Sequence, residues 1–158
     1  GAAAARRAPD DPPSASVGEV VAAREALKGR SVLIVDDDIR NIFSLSSVLE
    51  SAGMNVRFAK SGAQALAMLA EPGEVDAALV DIMMPEMDGY QTMQAIRALE
   101  GRAGLPLIAV TAKAMPGDRE RCLEAGADDY LAKPVDLDRL FMALGRALGR
   151  ALAREEPR

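Results

Sequence analysis

Histidine is absent from all 158 residues. Within this chain, that excludes zinc sites with imidazole ligands, Ser-His-Asp triads and any phosphohistidine intermediate. Cysteine is nearly absent, and the lone Cys122 excludes an internal disulfide and a multi-thiolate metal cluster. A reducing compartment fits that count. No apolar run approaches the roughly 20 residues needed to cross a bilayer. The opening stretch, Gly1 to Asp10, lacks the apolar core of a signal peptide. No block of Lys and Arg supplies a footprint for a phosphate backbone, and the formal net charge is −5. Nucleic acid is therefore not expected as a partner. No glycine-rich phosphate loop and no dinucleotide fingerprint follows the first apolar run, so nothing points to ATP. These absences together lead us to expect a cytoplasmic module without direct membrane contact.

The composition that remains, 49% hydrophobic and 27% charged, is that of a globular chain long enough for one domain with a real core. Residues 1 to about 15 are rich in Ala, Pro, Arg and Asp and read as linker. Ser16 and Glu19 have capping-box spacing, which allows a short helix over about 17–28, ended by Gly29. A connector without fixed structure is the alternative. The expected organisation is a linker or N-terminal extension over 1–29, a domain over 30–152 and a fraying charged tail over 153–158.

From Ser31 onward the pattern is regular. Strands are expected at 32–35, 55–59, 75–80, 107–110 and 129–131, with helices at 39–50, from Ser61 to near Pro72, 90–99, 118–125 and 136–152. Strands alternating with helices imply an α/β fold with a doubly wound five-stranded parallel sheet. Such sheets place ligand groups beyond the carboxyl ends of their strands. The residues there are Asp36, Asp37, Asp81, Thr111 and Lys133. Three carboxylates at one sheet edge repel one another unless a cation joins them, so the pattern points to a divalent metal beside an aspartyl nucleophile. Asp38 is better read as a cap for the following helix. Taken alone, Asp81 would more often be a structural strand-end residue.

Four segments change that balance: Val35-Asp36-Asp37, Val80-Asp81 with Met84-Pro85-Glu86-Met87-Asp88-Gly89, Val110-Thr111-Ala112-Lys113-Ala114, and Tyr130-Leu131-Ala132-Lys133-Pro134. In this order and spacing they resemble the response-regulator receiver domains of bacterial two-component signalling, over about residues 30–150. The resemblance implies the (βα)5 flavodoxin-like receiver fold. It implies that Asp81 accepts a phosphoryl group from a phosphohistidine on a histidine kinase or histidine phosphotransfer protein. Mg2+ would be held by Asp36, Asp37, Asp81 and the Met83 carbonyl. Thr111 and Lys133 would bind phosphoryl oxygens, and a cis bond before Pro134 would aim Lys133 inward. Thr111 and Tyr130 would form the switch. Met83 and Lys113 would modulate phosphoryl lifetime, with Met83 unable to orient attacking water, so a phospho-form lasting minutes or more is expected.

The stretch Asp38-Ile39-Arg40-Asn41-Ile42-Phe43 looks like receivers of hybrid histidine kinases. The domain would catalyse its own phosphorylation and dephosphorylation, and the parent chain would be the kinase. A stand-alone single-domain regulator and an unphosphorylated interaction module are the alternatives. A metal-dependent phosphatase is disfavoured because Met83 stands where a second acid is needed. Pairing of two copies through the last helix stays open. Met54, Met68, Met93 and Met142 read as core filling, and Gly62 reads as a permissive first-turn residue.

Overall fold

The computed structural model describes residues 15–112 and 115–155. The expected linker over 1–14 and the last three residues of the tail lie outside that range, as does Lys113. The elements are α1 (Val17–Leu27), β1 (Ser31–Val35), α2 (Ile39–Ser51), β2 (Asn55–Ala59), α3 (Gly62–Ala70), β3 (Ala77–Asp81), α4 (Gly89–Ala98), β4 (Leu107–Thr111), α5 (Asp118–Glu124), β5 (Asp129–Ala132) and α6 (Leu137–Glu155). All strand pairs are parallel, and their order is β2-β1-β3-β4-β5. This is the doubly wound flavodoxin-like arrangement, whose order reverses between β1 and β3.

The three central strands are buried on both faces, which is why they read as continuous apolar runs instead of alternating ones. Along β1, Val32 and Ile34 join the core shared with α1, α2 and α6, while Leu33 and Val35 join the core shared with α3, α4 and α5. The same alternation divides Leu79 from Val80 in β3 and Ile108 from Ala109 in β4.

Several boundaries differ from the sequence expectation. β3 starts at Ala77, not Val75, because Asp76 is occupied at the strand mouth. Its carboxylate accepts the Ser31 N–H at 2.7 Å and its own N–H reaches the Ser31 carbonyl at 2.8 Å. α6 starts one residue late because Asp136 caps it, accepting the Arg139 N–H at 3.1 Å. At the other end α6 continues to Glu155, so residues 153–155, expected to fray, are helical.

The segment before β1 is a docked helix. Its capping box at Ser16 and Glu19 is formed. Leu27 is fully buried in the same core as Leu140, Leu144 and Leu148. Gly145 lets α1 approach closely: a Cβ there would lie 3.1 Å from that of Ala23. Arg24 donates to the Ser51 carbonyl at 3.2 Å and covers the Phe141 ring. Among the described residues, no helix is long and apolar enough to cross a membrane.

Candidate active site at the carboxyl edge of the sheet

β1 ends at Val35 and β3 at Asp81, on the two sides of the point where strand order reverses, and the crevice there is the expected ligand position. Asp36 and Asp81 are buried, Asp37 is exposed, and each offers a carboxylate oxygen within 4.8 Å of the others. Lys133 Nζ lies 3.3 Å from Asp36 Oδ2 and 3.4 Å from Asp81 Oδ1. Its side chain is only 21% exposed, so this ion pair is poorly screened. The Lys133–Pro134 peptide bond is cis, as the motif implies. The Lys133 N–H also donates to the Thr111 carbonyl at 2.7 Å, tying the end of β5 to the end of β4.

Asp81 pairs in register with Val110, so Thr111 stands one residue further along the same edge, and it is buried. Tyr130 is half-buried on β5 against the α3/α4/α5 core. The Met83 side chain is exposed, and its N–H donates to Asp81 Oδ1 at 3.3 Å. Asp38 takes the capping role expected of it, accepting the Arg40 N–H at 2.9 Å and pairing with the Arg40 guanidinium. Asp38 is thereby turned to α2, and the Arg40 contacts hold its carboxyl below the usual range.

Burial raises the Asp81 carboxyl to about 6, and the Asp36 charge adds to the rise. Lys133 and the Met83 N–H oppose it. A carboxylate disfavoured in this way gains most from a cation. Three anionic oxygens from Asp36, Asp37 and Asp81 form a hard donor set that suits Mg2+ better than a soft metal. Cys122, by contrast, is buried within α5, and desolvation raises its thiol to about 11. It is inert as a nucleophile at neutral pH.

Sequence reasoning missed two glycines that shape this edge. A Cβ on Gly89 would strike the Asp81 carbonyl and lie 2.6 Å from Ile82 Cα, both backbone atoms. Gly89 therefore lets α4 start directly behind the nucleophile. Gly62 is more than permissive: a Cβ there would strike Thr92 Oγ1 and lie 2.8 Å from Met87 Sδ, so it sets the approach of α3 to α4. Glu86, with φ +66°, gives the loop after Asp81 its sharp reversal. The juxtaposition of Met-Pro-Glu-Met-Asp-Gly with a strand-end Asp was the available signal for that loop.

The response regulator receiver domain model matches residues 32–145. The chain belongs to that family. It is 39% identical over 122 residues to the signal transduction histidine-protein kinase BarA of Escherichia coli K12, covering 77% of this chain and 13% of that kinase. It is 32% identical over 156 residues to Histidine kinase 3 of Arabidopsis thaliana, covering 86% of this chain and 15% of that one. The chain thus spans about a seventh of the curated kinases it matches, and it is homologous to the receivers of hybrid histidine kinases. Because plant kinases are among these relatives, the likeness does not restrict the family to bacteria.

Among solved structures, the receiver domain of a sensor histidine kinase from Pseudomonas aeruginosa PAO1 is 40% identical with a TM-score of 0.70. The match covers 77% of this chain and 98% of that one, and that structure holds a magnesium ion in its active-site cleft. A response regulator from Chloroflexus aurantiacus is 36% identical with a TM-score of 0.73, covering 78% of this chain and all of the other.

Proposed function

We propose that this receiver takes a phosphoryl group from phosphohistidine onto Asp81 in a Mg2+-dependent phosphorelay, as the receiver of a hybrid histidine kinase in the cytoplasm. The observation that carries the reading is the convergence of Asp36, Asp37, Asp81 and Lys133 at one sheet edge. The receiver body is 30–152, with α1 laid on it as an N-terminal extension.

An Asp81 carboxylate oxygen attacks phosphorus in line. The phosphorus–nitrogen bond to the donor imidazole breaks, the nitrogen keeps the electron pair and takes a proton, and an acyl phosphate remains on Asp81. Asp36, Asp37 and Asp81, with the Met83 carbonyl, would hold Mg2+, which would neutralise charge on the transferred group. Lys133 and Thr111 bind phosphoryl oxygens, Lys133 as a compact point charge. Tyr130 follows Thr111 as the phosphoryl group biases a two-state equilibrium. The partner is a histidine kinase or histidine phosphotransfer protein, which supplies the phosphohistidine, as befits a chain homologous to the receivers of hybrid histidine kinases.

The test is intact mass after incubation with Mg2+ and phosphoramidate or acetyl phosphate. The parent chain should gain one phosphoryl mass and Asp81→Asn none. Equal labelling of both would remove Asp81 from its role. No labelling of the parent, together with no beryllofluoride binding, would leave an interaction module as the better reading.

A further inference from the structure

The chain carries eight methionines, and burial divides them. Met54, Met84 and Met93 are at most 8% exposed. Met68, Met87 and Met142 are half-buried, and the Met87 sulfur lies against Gly62. Met83 and Met115 are each 60% exposed. Met115 stands in the loop before α5. Met83 stands two residues beyond Asp81 and belongs to neither core, so packing does not account for its thioether.

The backbone around Met83 is pinned. The Met83 N–H donates to Asp81 Oδ1 at 3.3 Å. The Met84 and Gly89 N–H groups both donate to the Ile82 carbonyl, at 3.2 and 3.0 Å, and the Met87 N–H to the Pro85 carbonyl at 2.8 Å. These bonds do not use the Met83 side chain, so the loop keeps its shape when that side chain changes chemistry. The bond from its own amide to the nucleophile starts the side chain at the rim of the crevice.

A thioether sulfur is a weak hydrogen-bond acceptor. Oxidation by a peroxide turns it into a sulfoxide, which is polar and can be reduced back. The sulfur lone pair takes one peroxide oxygen as the O–O bond breaks. The departing hydroxide removes the proton from that oxygen and leaves as water. Exposure directs the reagent to Met83 and Met115 and shields the methionines of the core.

We propose that Met83 is a peroxide-sensitive modification site whose sulfoxide shortens the life of the phosphoryl group on Asp81. The inference rests on the phosphoacceptor reading above. The sulfoxide oxygen accepts a hydrogen bond from a water at the rim and orients it toward phosphorus. The phosphorus–oxygen bond to Asp81 breaks, the carboxylate keeps the electron pair, and phosphate leaves with both water protons. Peroxide thus shortens the signal without unfolding the domain.

The experiment is timed intact mass on Met115→Leu, which leaves Met83 as the one exposed methionine. The chain is treated with limiting hydrogen peroxide, phosphorylated with phosphoramidate and Mg2+, and freed of donor. Oxidised and unoxidised phospho-forms differ by one oxygen, so both decays are read in one sample. Peptide mapping should place that oxygen on Met83. The oxidised form should lose its phosphoryl group about two- to ten-fold faster, the factor that one neutral hydrogen bond supplies. Met83→Gln carries a carbonyl oxygen at the same place and should decay fast without peroxide. In Met83→Leu, peroxide should leave the decay rate where it was. Methionine sulfoxide reductase should restore the slow decay.

Equal decay of the two forms, a peroxide response retained in Met83→Leu, or a first oxygen on a buried methionine overturns the inference. A lower denaturant midpoint after oxidation of Met83 also overturns it, because the faster decay would then report a loosened fold. No phosphoryl gain by the unoxidised parent overturns the site reading and this inference together.

Discussion

Burial and the Asp36 charge push Asp81 up to about 6, and Lys133 with the Met83 N–H offsets only part of the rise. A raised folded-state value means that the folded protein binds this proton more tightly than the unfolded chain does. Asp81 therefore favours folding below about pH 4, and that contribution fades as pH rises through 6. Metal-free urea unfolding of the parent and Asp81→Asn between pH 4 and 8 should show the two diverging over this window. The variant should be the more stable at pH 7, by about 1 kcal/mol once solvent screening at the site mouth is allowed for. Parallel pH curves would remove Asp81 as the source. Gly89 supplies a second test at this scale. Gly89→Ala should cost about 3 kcal/mol by overpacking, because its neighbours are backbone atoms that cannot swing aside. It should also reduce phosphoryl labelling beyond its effect on folding, since the displaced atom is the Asp81 carbonyl.

Helix α1 belongs energetically to the body it precedes. Leu27 has no exposed surface and shares a core with α6. Leu27→Ala should lower unfolding free energy by about 3 kcal/mol, read from the denaturant midpoint at unchanged slope, whereas Val17→Ala, at an exposed position, should be nearly neutral. Equal midpoints for Leu27→Ala and the parent would return α1 to the status of a connector. The capping box at Ser16 and Glu19 was legible, because it is local chemistry at fixed spacing. The docking of α1 on α6 was not, since Ala23 meets Gly145 across most of the chain and neither residue carries a pattern that names the other. The same division holds at the site. Asp36, Asp81, Thr111 and Lys133 could be placed together because parallel strands deliver their carboxyl ends to one edge. The bonds from Arg97 on α4 to the Ala103, Leu105 and Gly126 carbonyls could not be read, because backbone acceptors leave no trace in residue identity. Gly62 was misread for a related reason: its value lies in the Thr92 and Met87 side chains opposite it, not in its own turn.

At the scale of the whole molecule, the doubly wound sheet places its like charges where its strand order reverses, and a cation there stabilises only the folded state. Binding of this kind raises stability by mass action, by about 2.7 kcal/mol when the ion stands at a hundred times its dissociation constant. For a domain of this size that corresponds to a rise in Tm of about 5–10 °C. The effect should depend on pH, because a proton on Asp81 competes with the metal. Thermal unfolding with and without Mg2+ should therefore show the full rise at pH 8 and a smaller one at pH 5.5, below the Asp81 value of about 6. Asp36→Ala should lose most of it at both. Ca2+ and Mg2+ at equal concentration give a further comparison, since three carboxylates with room for water suit either ion and only affinity separates them. A Tm independent of Mg2+ at pH 8, in a chain that unfolds reversibly, would mean that Lys133 alone balances the acidic cluster and that the edge is no metal centre.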